Sequence, residues 1–302
     1  MRVDWNQIIC NELKEHIAKL EKSLNADVIY YYGVLQPGAD RVFRDVIEDL
    51  KSDSNKRDVI YVILTTPGGS AETVQILVNI LRYHYKEVNF IIPQYAYSAG
   101  TILCMSGDNI FMDYFSQLGP IDPQVKSKDG KFVPALGYLD KVEEMIAKAE
   151  KGTLTDAEFV IFKNLDLAEL RLYEQARNLT IDLIKEWLTM YKFKNWTHHN
   201  STGKEVTLKD KENRAKEIAA KLSDSKKWCS HSRPININQL REMKLKIEDL
   251  TEYTYNNDIH VFDSLQEDYI AKNNRRLLCC TRRIVVQWKF VIKLKKLSIK
   301  LL

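Results

Sequence analysis

Apolar side chains recur along this chain first at one spacing and then at another, and each change of period marks an element. Over residues 4–25, Ile8, Ile9, Leu13, Ile17, Leu20 and Leu24 fall at helical intervals and predict an amphipathic helix. Asp27–Tyr32 predicts a short strand, closed by Gly33 and the Pro37-Gly38 turn. Helical spacing returns over 39–51, where Val42, Phe43, Val46, Ile47 and Leu50 share a face. Val59–Leu64 is an uninterrupted β-rich run, as in a strand buried on both faces of a parallel sheet. It ends in Thr65-Thr66-Pro67-Gly68-Gly69. Ser70 can then cap a helix with Glu72 in its first turn and Ile76, Leu77, Ile80 and Leu81 along it. A second buried strand at Val88–Ile92 runs into Pro93–Ser98, with a short helix starting at Ser98-Ala99-Gly100. A third, Asn109–Met112, leads into Ser116–Gln124.

Strand–helix repetition of this kind predicts a layered α/β domain. The second half reads as mostly helical, over 139–150, 166–193 and 208–221. A polar loop or hairpin at 124–135 and a polar connection at 195–207 interrupt it, and an α/β-like stretch ends near residue 250. No internal repeat is visible, and no Pro/Gly/Ser-rich linker divides residues 1–255, so these are expected to form one domain.

Composition narrows the class only by exclusion. The 302 residues are 45% hydrophobic and 28% charged, as in ordinary globular chains. No apolar run reaches the roughly 18–20 residues of a membrane span. The first residues carry acids and no apolar stretch, so no signal peptide is read. Cys10, Cys104, Cys229, Cys279 and Cys280 form no CxxC pair, which points to reduced thiols and a cytoplasmic location. No Cys/His spacing suits a metal, and His198-His199 reads as a solvated pair. Charge is uneven. Residues 272–302 hold ten Lys/Arg and no acid, so the formal +4 of the chain leaves −6 for the rest. Overall basicity therefore does not mark a nucleic-acid-binding protein.

Two strand-end turns carry the candidate chemistry, because both fall at the carboxyl edge of the predicted sheet. Glycines at 68 and 69 can expose backbone N–H groups. Ser98 brings a hydroxyl to a helix N-terminus beside the small Ala99 and Gly100, where developing negative charge is stabilised. Ser98 as nucleophile, with N–H groups of Gly69 and Ala99 as oxyanion donors beside Gly68, is a coherent arrangement for acyl transfer. Taken singly, each turn reads as an ordinary turn or cap.

The segments TTPGGSAETV, IPQYAYSAGTILCMSGDNIFM and SQLGPIDPQ resemble the Clp-fold serine peptidases, and in particular the serine dehydrogenase proteinase family. The resemblance extends over the opening helix, IYYYG, WCSHSRPI and LKIEDL, roughly residues 5–252. That family is distantly akin to the Clp protease proteolytic subunit and to signal peptide peptidase A. Its name describes a proposed target, and no GxGxxG follows a strand here. The resemblance implies a Clp/crotonase-like fold of repeated β-β-α units with a helical second half. It implies a triad of Ser98 as nucleophile, Asp122 as orienting carboxylate and His231 as base. It also implies peptide or protein substrates, a homo-oligomer, and no metal or organic cofactor. No G-x-x-x-x-G-K-S/T loop is present, so ATP-driven unfolding would call for a separate partner.

Other readings stay open on the residues alone. Asp122, before Pro123, can anchor a turn, and His231 can be a capping histidine. His198 and His199 are other imidazoles. A Ser-Lys dyad, as in signal peptide peptidase A, would draw on Lys141, Lys148 or Lys163. A non-catalytic assembly protein and a crotonase-like acyl-CoA enzyme share the fold. Residues 256–302 depart from the family pattern and read as a divergent basic tail. Within it Lys289, Lys293, Lys296 and Lys300 would share one helical face, beside Phe290, Leu294, Leu297 and Leu301. Such a helix could lie on an anionic membrane or nucleic acid, although its Ile and Val content also permits a strand.

Overall fold

The uninterrupted apolar runs become the middle of a seven-stranded sheet in the computed structural model, which describes residues 5–52, 57–126, 130, 132–273 and 277–288. The strands are β1 (Asp27–Gly33), β2 (Val59–Thr65), β3 (Glu87–Ile92), β4 (Tyr95–Ala96), β5 (Asn109–Met112), β6 (Gln117–Leu118), β7 (Gln124–Lys126), β8 (Phe132–Pro134), β9 (Glu248–Asp249), β10 (Leu277–Cys280) and β11 (Val285–Trp288). The helices are α1 (Trp5–Leu24), α2 (Ala39–Lys51), α3 (Ala71–His84), α4 (Ala99–Met105), α5 (Ala135–Glu150), α6 (Asp156–Lys163), α7 (Leu167–Trp187), α8 (Leu208–Ser223), α9 (Ser225–Trp228), α10 (Ile237–Glu242) and α11 (Asn256–Asn273).

Strands β1, β2, β3 and β5 pair in parallel in that order, with α2, α3 and α4 in the connections, and β9 joins in parallel beside β5. Alternation along each strand splits its apolar residues between two cores. Ile29, Tyr31, Val62 and Phe90 face α2, α3, α4, α7 and α8, whereas Val28, Tyr30, Ile63 and Ile91 face α1 and α11. Both faces are covered, which is why these strands carry no polar alternation in the sequence. The segment left open as loop or hairpin is the antiparallel pair β7–β8. Helix α6 was not read from the sequence; none of its residues is buried, so it lacks the apolar stripe that reveals a helix.

Part of the segment read as a basic tail belongs to this sheet. Strand β10 pairs antiparallel with β1, all four of its residues are buried, and β11 pairs with β10. Helix α11 buries Ile259, Phe262, Tyr269 and Ile270 against the α1 side. Among the described residues, three of the ten cations have acidic partners, Lys272 pairing with Asp268 at 3.6 Å. Arg282 donates to the buried Glu21 at 2.6 Å, and Arg283 to Asp49 at 3.1 Å. The candidate helix face at Lys289, Lys293, Lys296 and Lys300 lies outside the described residues. Among the described residues no helix is long and apolar enough to cross a membrane.

Helix α11 also places an acid where it titrates. Burial raises the Asp263 carboxyl to about 6, with Gln94, Tyr30 and His260 favouring its charged form and Glu267 opposing it. Folding therefore takes up a proton between the ordinary value of 3.8 and about 6. That stability is fully present below 3.8 and is lost as pH rises through about 6. Asp263→Asn keeps the site neutral at every pH. It is expected to match wild type near pH 4 and to exceed it by about 1–3 kcal/mol near pH 8 in urea unfolding. A variant equally or less stable at pH 8 would show that the carboxylate is not penalised there.

Candidate active site

Beyond the carboxyl edge of the sheet the chain continues as a ribbon of single pairings. Leu35 bridges Gly69, Thr66 bridges Ala96 in parallel, β4 pairs with β6 in parallel, and Leu118 bridges Ile235 antiparallel. The backbone bonds are short and reciprocal: Leu35 N–H to Gly68 at 2.8 Å, Ser70 N–H to Leu35 at 2.7 Å, Thr66 N–H to Tyr95 and Tyr97 N–H to Thr66 at 3.0 Å each. The last pair is Leu118 N–H to Ile235 at 3.0 Å and Ile235 N–H to Leu118 at 2.8 Å. This order dictates what meets. Ser98 follows Ala96 and Asp122 follows Leu118 on parallel segments. Because Ile235 runs antiparallel to Leu118, stepping back from Ile235 to His231 goes the same way as stepping forward from Leu118 to Asp122.

Asp122 and His231 meet as this topology requires. His231 Nδ1 lies 2.8 Å from Asp122 Oδ1, 109 positions apart in sequence. Asp122 is 4% exposed, and Gln124 Nε2 donates to its other oxygen at 3.2 Å. The neutral tautomer that donates from Nδ1 to Asp122 leaves Nε2 as an acceptor. Among the described residues Nε2 has no partner, and the imidazole side chain is 25% exposed. Ile121 N–H bonds to Leu222 at the end of α8 at 3.1 Å, which fixes the Asp122 loop.

Ser98 does not behave as a helix cap. It has φ 51° and ψ −114°, and its side chain makes no capping bond. A non-glycine residue held there is strained by about 1–3 kcal/mol, a cost that persists where the surroundings over-determine it. The surroundings do so. Ile102 N–H bonds to Ser98 O at 3.1 Å and Gly100 N–H to Tyr97 O at 2.8 Å. A Cβ on Gly100 would sit 2.5 Å from Thr66 Cγ2, so the helix start presses directly on the end of β2. Ser98, at this sharp strand-to-helix turn, is half-buried. Its hydroxyl makes no hydrogen bond to a described residue, His231 included.

Gly68 faces Ser98: a Cβ there would lie 3.0 Å from Ser98 Cβ and 3.4 Å from Ala99 N. Its own N–H donates to Thr66 Oγ1 at 3.1 Å, so Gly68 gives the candidate oxyanion hole clearance beside Ser98. The N–H groups of Gly69 and Ala99 find no acceptor among the described residues. Thr101, Thr66 and Gln124, which hold this architecture, were not singled out from the sequence. Thr101 Oγ1 lies 2.9 Å from the carbonyls of Ala96 and Gly119 and accepts the Gly119 N–H at 2.9 Å, tying the Ser98 turn to the Asp122 loop. Gln124 lies within SQLGPIDPQ, so the motif held the signal.

The competing bases sit elsewhere or are occupied. His199 lines a cavity with Glu87 and Asn109, at the starts of β3 and β5, on the edge of the sheet opposite Ser98. His198 is exposed beside Thr197. Lys141 pairs with Glu144 at 3.2 Å, Lys148 with Glu158, and Lys163 is exposed. Among the described residues no group of three or more His, Cys, Asp or Glu side chains could hold a metal ion.

Two curated relatives are uncharacterized proteins of Methanocaldococcus jannaschii. MJ0137 is 29% identical over 190 residues, covering 63% of this chain and 53% of its own length. MJ1495 is 27% identical over 188 residues, covering 62% and 51%. The chain thus spans about half the length of the curated relatives it matches. Among solved structures, a mutant of the 1510-N membrane-bound stomatin-specific protease aligns over 74% of this chain and 79% of its own, with 14% identity and a TM-score of 0.40. A second mutant of that protease, in complex with a substrate peptide, aligns over 54% and 59%, with 19% identity and a TM-score of 0.33. Residues 39–257, a span holding Ser98, Asp122 and His231, match the family described as ClpP-like SDH-type serine proteinase. With most of its length so matched, the chain belongs to the ClpP-like SDH-type serine proteinase family.

Proposed function

We propose that this chain hydrolyses peptide bonds through an acyl-enzyme on Ser98, with His231 as base and Asp122 orienting it. The observation that carries the reading is the 2.8 Å Asp122–His231 bond, which leaves Nε2 bare on the ribbon that also presents Ser98. In this mechanism Ser98 Oγ attacks the peptide carbonyl carbon while His231 Nε2 takes the hydroxyl proton. The oxyanion is held by the N–H groups of Gly69 and Ala99. Collapse breaks the C–N bond, and His231 returns the proton to the leaving amine. Water, deprotonated by His231, then attacks the ester, releasing the carboxylate product and Ser98. Contact between Ser98 and His231 closes when substrate binds, as catalytic hydrogen bonds that are long in the free enzyme tighten in the complex. Peptides or proteins are the substrates this reading assigns.

The test is fluorophosphonate labelling of the intact chain, with the modified residue mapped by mass spectrometry. The expected result is one adduct on Ser98, absent from Ser98→Ala. No adduct, or an adduct that persists in Ser98→Ala, overturns the reading.

A further inference from the structure

The cavity lined by His199 lies away from Ser98. It measures about 860 Å³, within the range of small-molecule sites. It lies at the amino edge of the sheet, against the starts of β3 and β5. Helix α4 separates the two places, with Ser98 before its first residue and Asp108 shortly beyond its last.

One wall is made by a change of helix type. Helix α7 passes at Trp187 into a π-helical turn, Leu188–Lys192, instead of continuing as the single helix read over 166–193. Such turns gather at functional sites because they re-aim side chains. Here the turn ends on Lys192, whose Nζ is buried and has no hydrogen-bond partner among the described residues. An ammonium in that state is costly, and ordinary folds pair it. The nearby acids are already engaged. Asp108 Oδ2 accepts from Arg82 and from the Val88 N–H at 2.8 Å each, and its Oδ1 is ion-paired with Lys194. Glu248 is paired with Lys246 at 2.6 Å. Arg214, Lys194, Lys244 and Lys246 line the same cavity with Trp196, against the acids Glu87 and Asp108, and Arg214 also pairs with Glu217 at 3.0 Å. The site thus has excess positive charge, an unpartnered buried donor, and room for a ligand.

We infer that this cavity binds a small phosphate-bearing anion, with Lys192 Nζ as its buried counter-charge and Arg214 as a second donor. A guanidinium and an ammonium on residues that line one cavity suit phosphate oxygens, which accept from both. Binding is linked to protonation. Burial lowers Lys192 to about 8, Glu248, Asp108 and Cys104 oppose that shift, and Lys246 adds to it. The bound anion favours the charged form, so affinity is full below about 8 and declines as pH rises through and above it.

Calorimetric titration of the full chain with inorganic phosphate, pyrophosphate and ATP, at constant ionic strength, tests the inference. At least one is expected to bind at pH 7, more weakly at pH 9.5. Lys192→Met is expected to weaken that binding about tenfold or more, as loss of one charge-assisted bond requires. Lys226→Met, an exposed lysine outside the cavity, should leave it unchanged. Should Lys192→Met fail to fold, as judged by its thermal melt, Arg214→Gln is expected to show a loss of similar sign. Absence of binding by all three probes, binding indifferent to the lost charge, or an equal loss in Lys226→Met overturns the inference. Because the readout is binding, none of these outcomes depends on whether Ser98 is reactive.

Discussion

His231→Ala is expected to slow acylation of Ser98 by on the order of 10⁴-fold or more, leaving the fold intact. A serine hydroxyl is a poor nucleophile at neutral pH unless a base within reach takes its proton. On the ribbon that presents Ser98, the imidazole with a bare ring nitrogen is His231. Asp122→Asn tests the same claim more narrowly. An amide there presents N–H as well as carbonyl, so it no longer selects the tautomer that donates from Nδ1. A loss of about 10⁴-fold is expected for the wrong tautomer, even though Gln124 keeps a partner on the residue. By contrast, Lys141→Met, Lys148→Met and Lys163→Met are each expected to remain within about twofold of wild type. The first two remove only surface pairs, with Glu144 and Glu158. The measurement is the second-order rate of fluorophosphonate labelling, with urea unfolding as the control for folding. Near-normal labelling in His231→Ala, together with loss in one lysine variant, would replace the triad with a dyad.

What was legible in the chain, and what was not, follows from where each constraint lives. The strands β1, β2, β3 and β5 and the turns at their ends were readable because period and turn chemistry are local. Ser98 and the two glycines came from the same local pattern. The Asp122–His231 pair could not, since it rests on a bridge between Leu118 and Ile235 that no window of sequence contains. A resemblance pointed to both residues; the antiparallel bridge is what explains their meeting. Strand β10 was hidden differently. Leu277–Cys280 is wholly buried but stands among arginines, so its segment reads as a basic tail, although in the fold Glu21 and Asp49 face Arg282 and Arg283. Lys192 falls within the helix predicted over 166–193, where a lysine ordinarily points to solvent. Only the π-helical turn reveals that its ammonium is buried.

The two glycines of the β2 turn are expected to fail in different ways when each gains one methyl group. In Gly69→Ala the new Cβ would lie 2.0 Å from the carbonyl oxygen of Leu35, a backbone atom that no rotamer can move aside. The Leu35–Gly69 bridge and its two bonds, Leu35 N–H to Gly68 and Ser70 N–H to Leu35, would have to open. Losing two backbone hydrogen bonds and forcing an alanine to φ +153° predicts destabilisation of about 3–5 kcal/mol, with acylation lost alongside. In Gly68→Ala the Cβ would meet Tyr97 O at 2.8 Å and Ser98 Cβ at 3.0 Å, at φ +106°. The strain is smaller, about 1–3 kcal/mol, but it falls on the nucleophile and on the turn that aims it. Acylation is expected to drop about 10²–10³-fold, the scale of a misplaced oxyanion donor or a displaced attacking atom. Urea unfolding and labelling rate, measured on both variants, separate the two effects. If Gly68→Ala labels at the wild-type rate, the β2 turn does not shape the reacting centre. If Gly69→Ala is as stable as wild type, the Leu35 contact is not what holds the turn against Ser98.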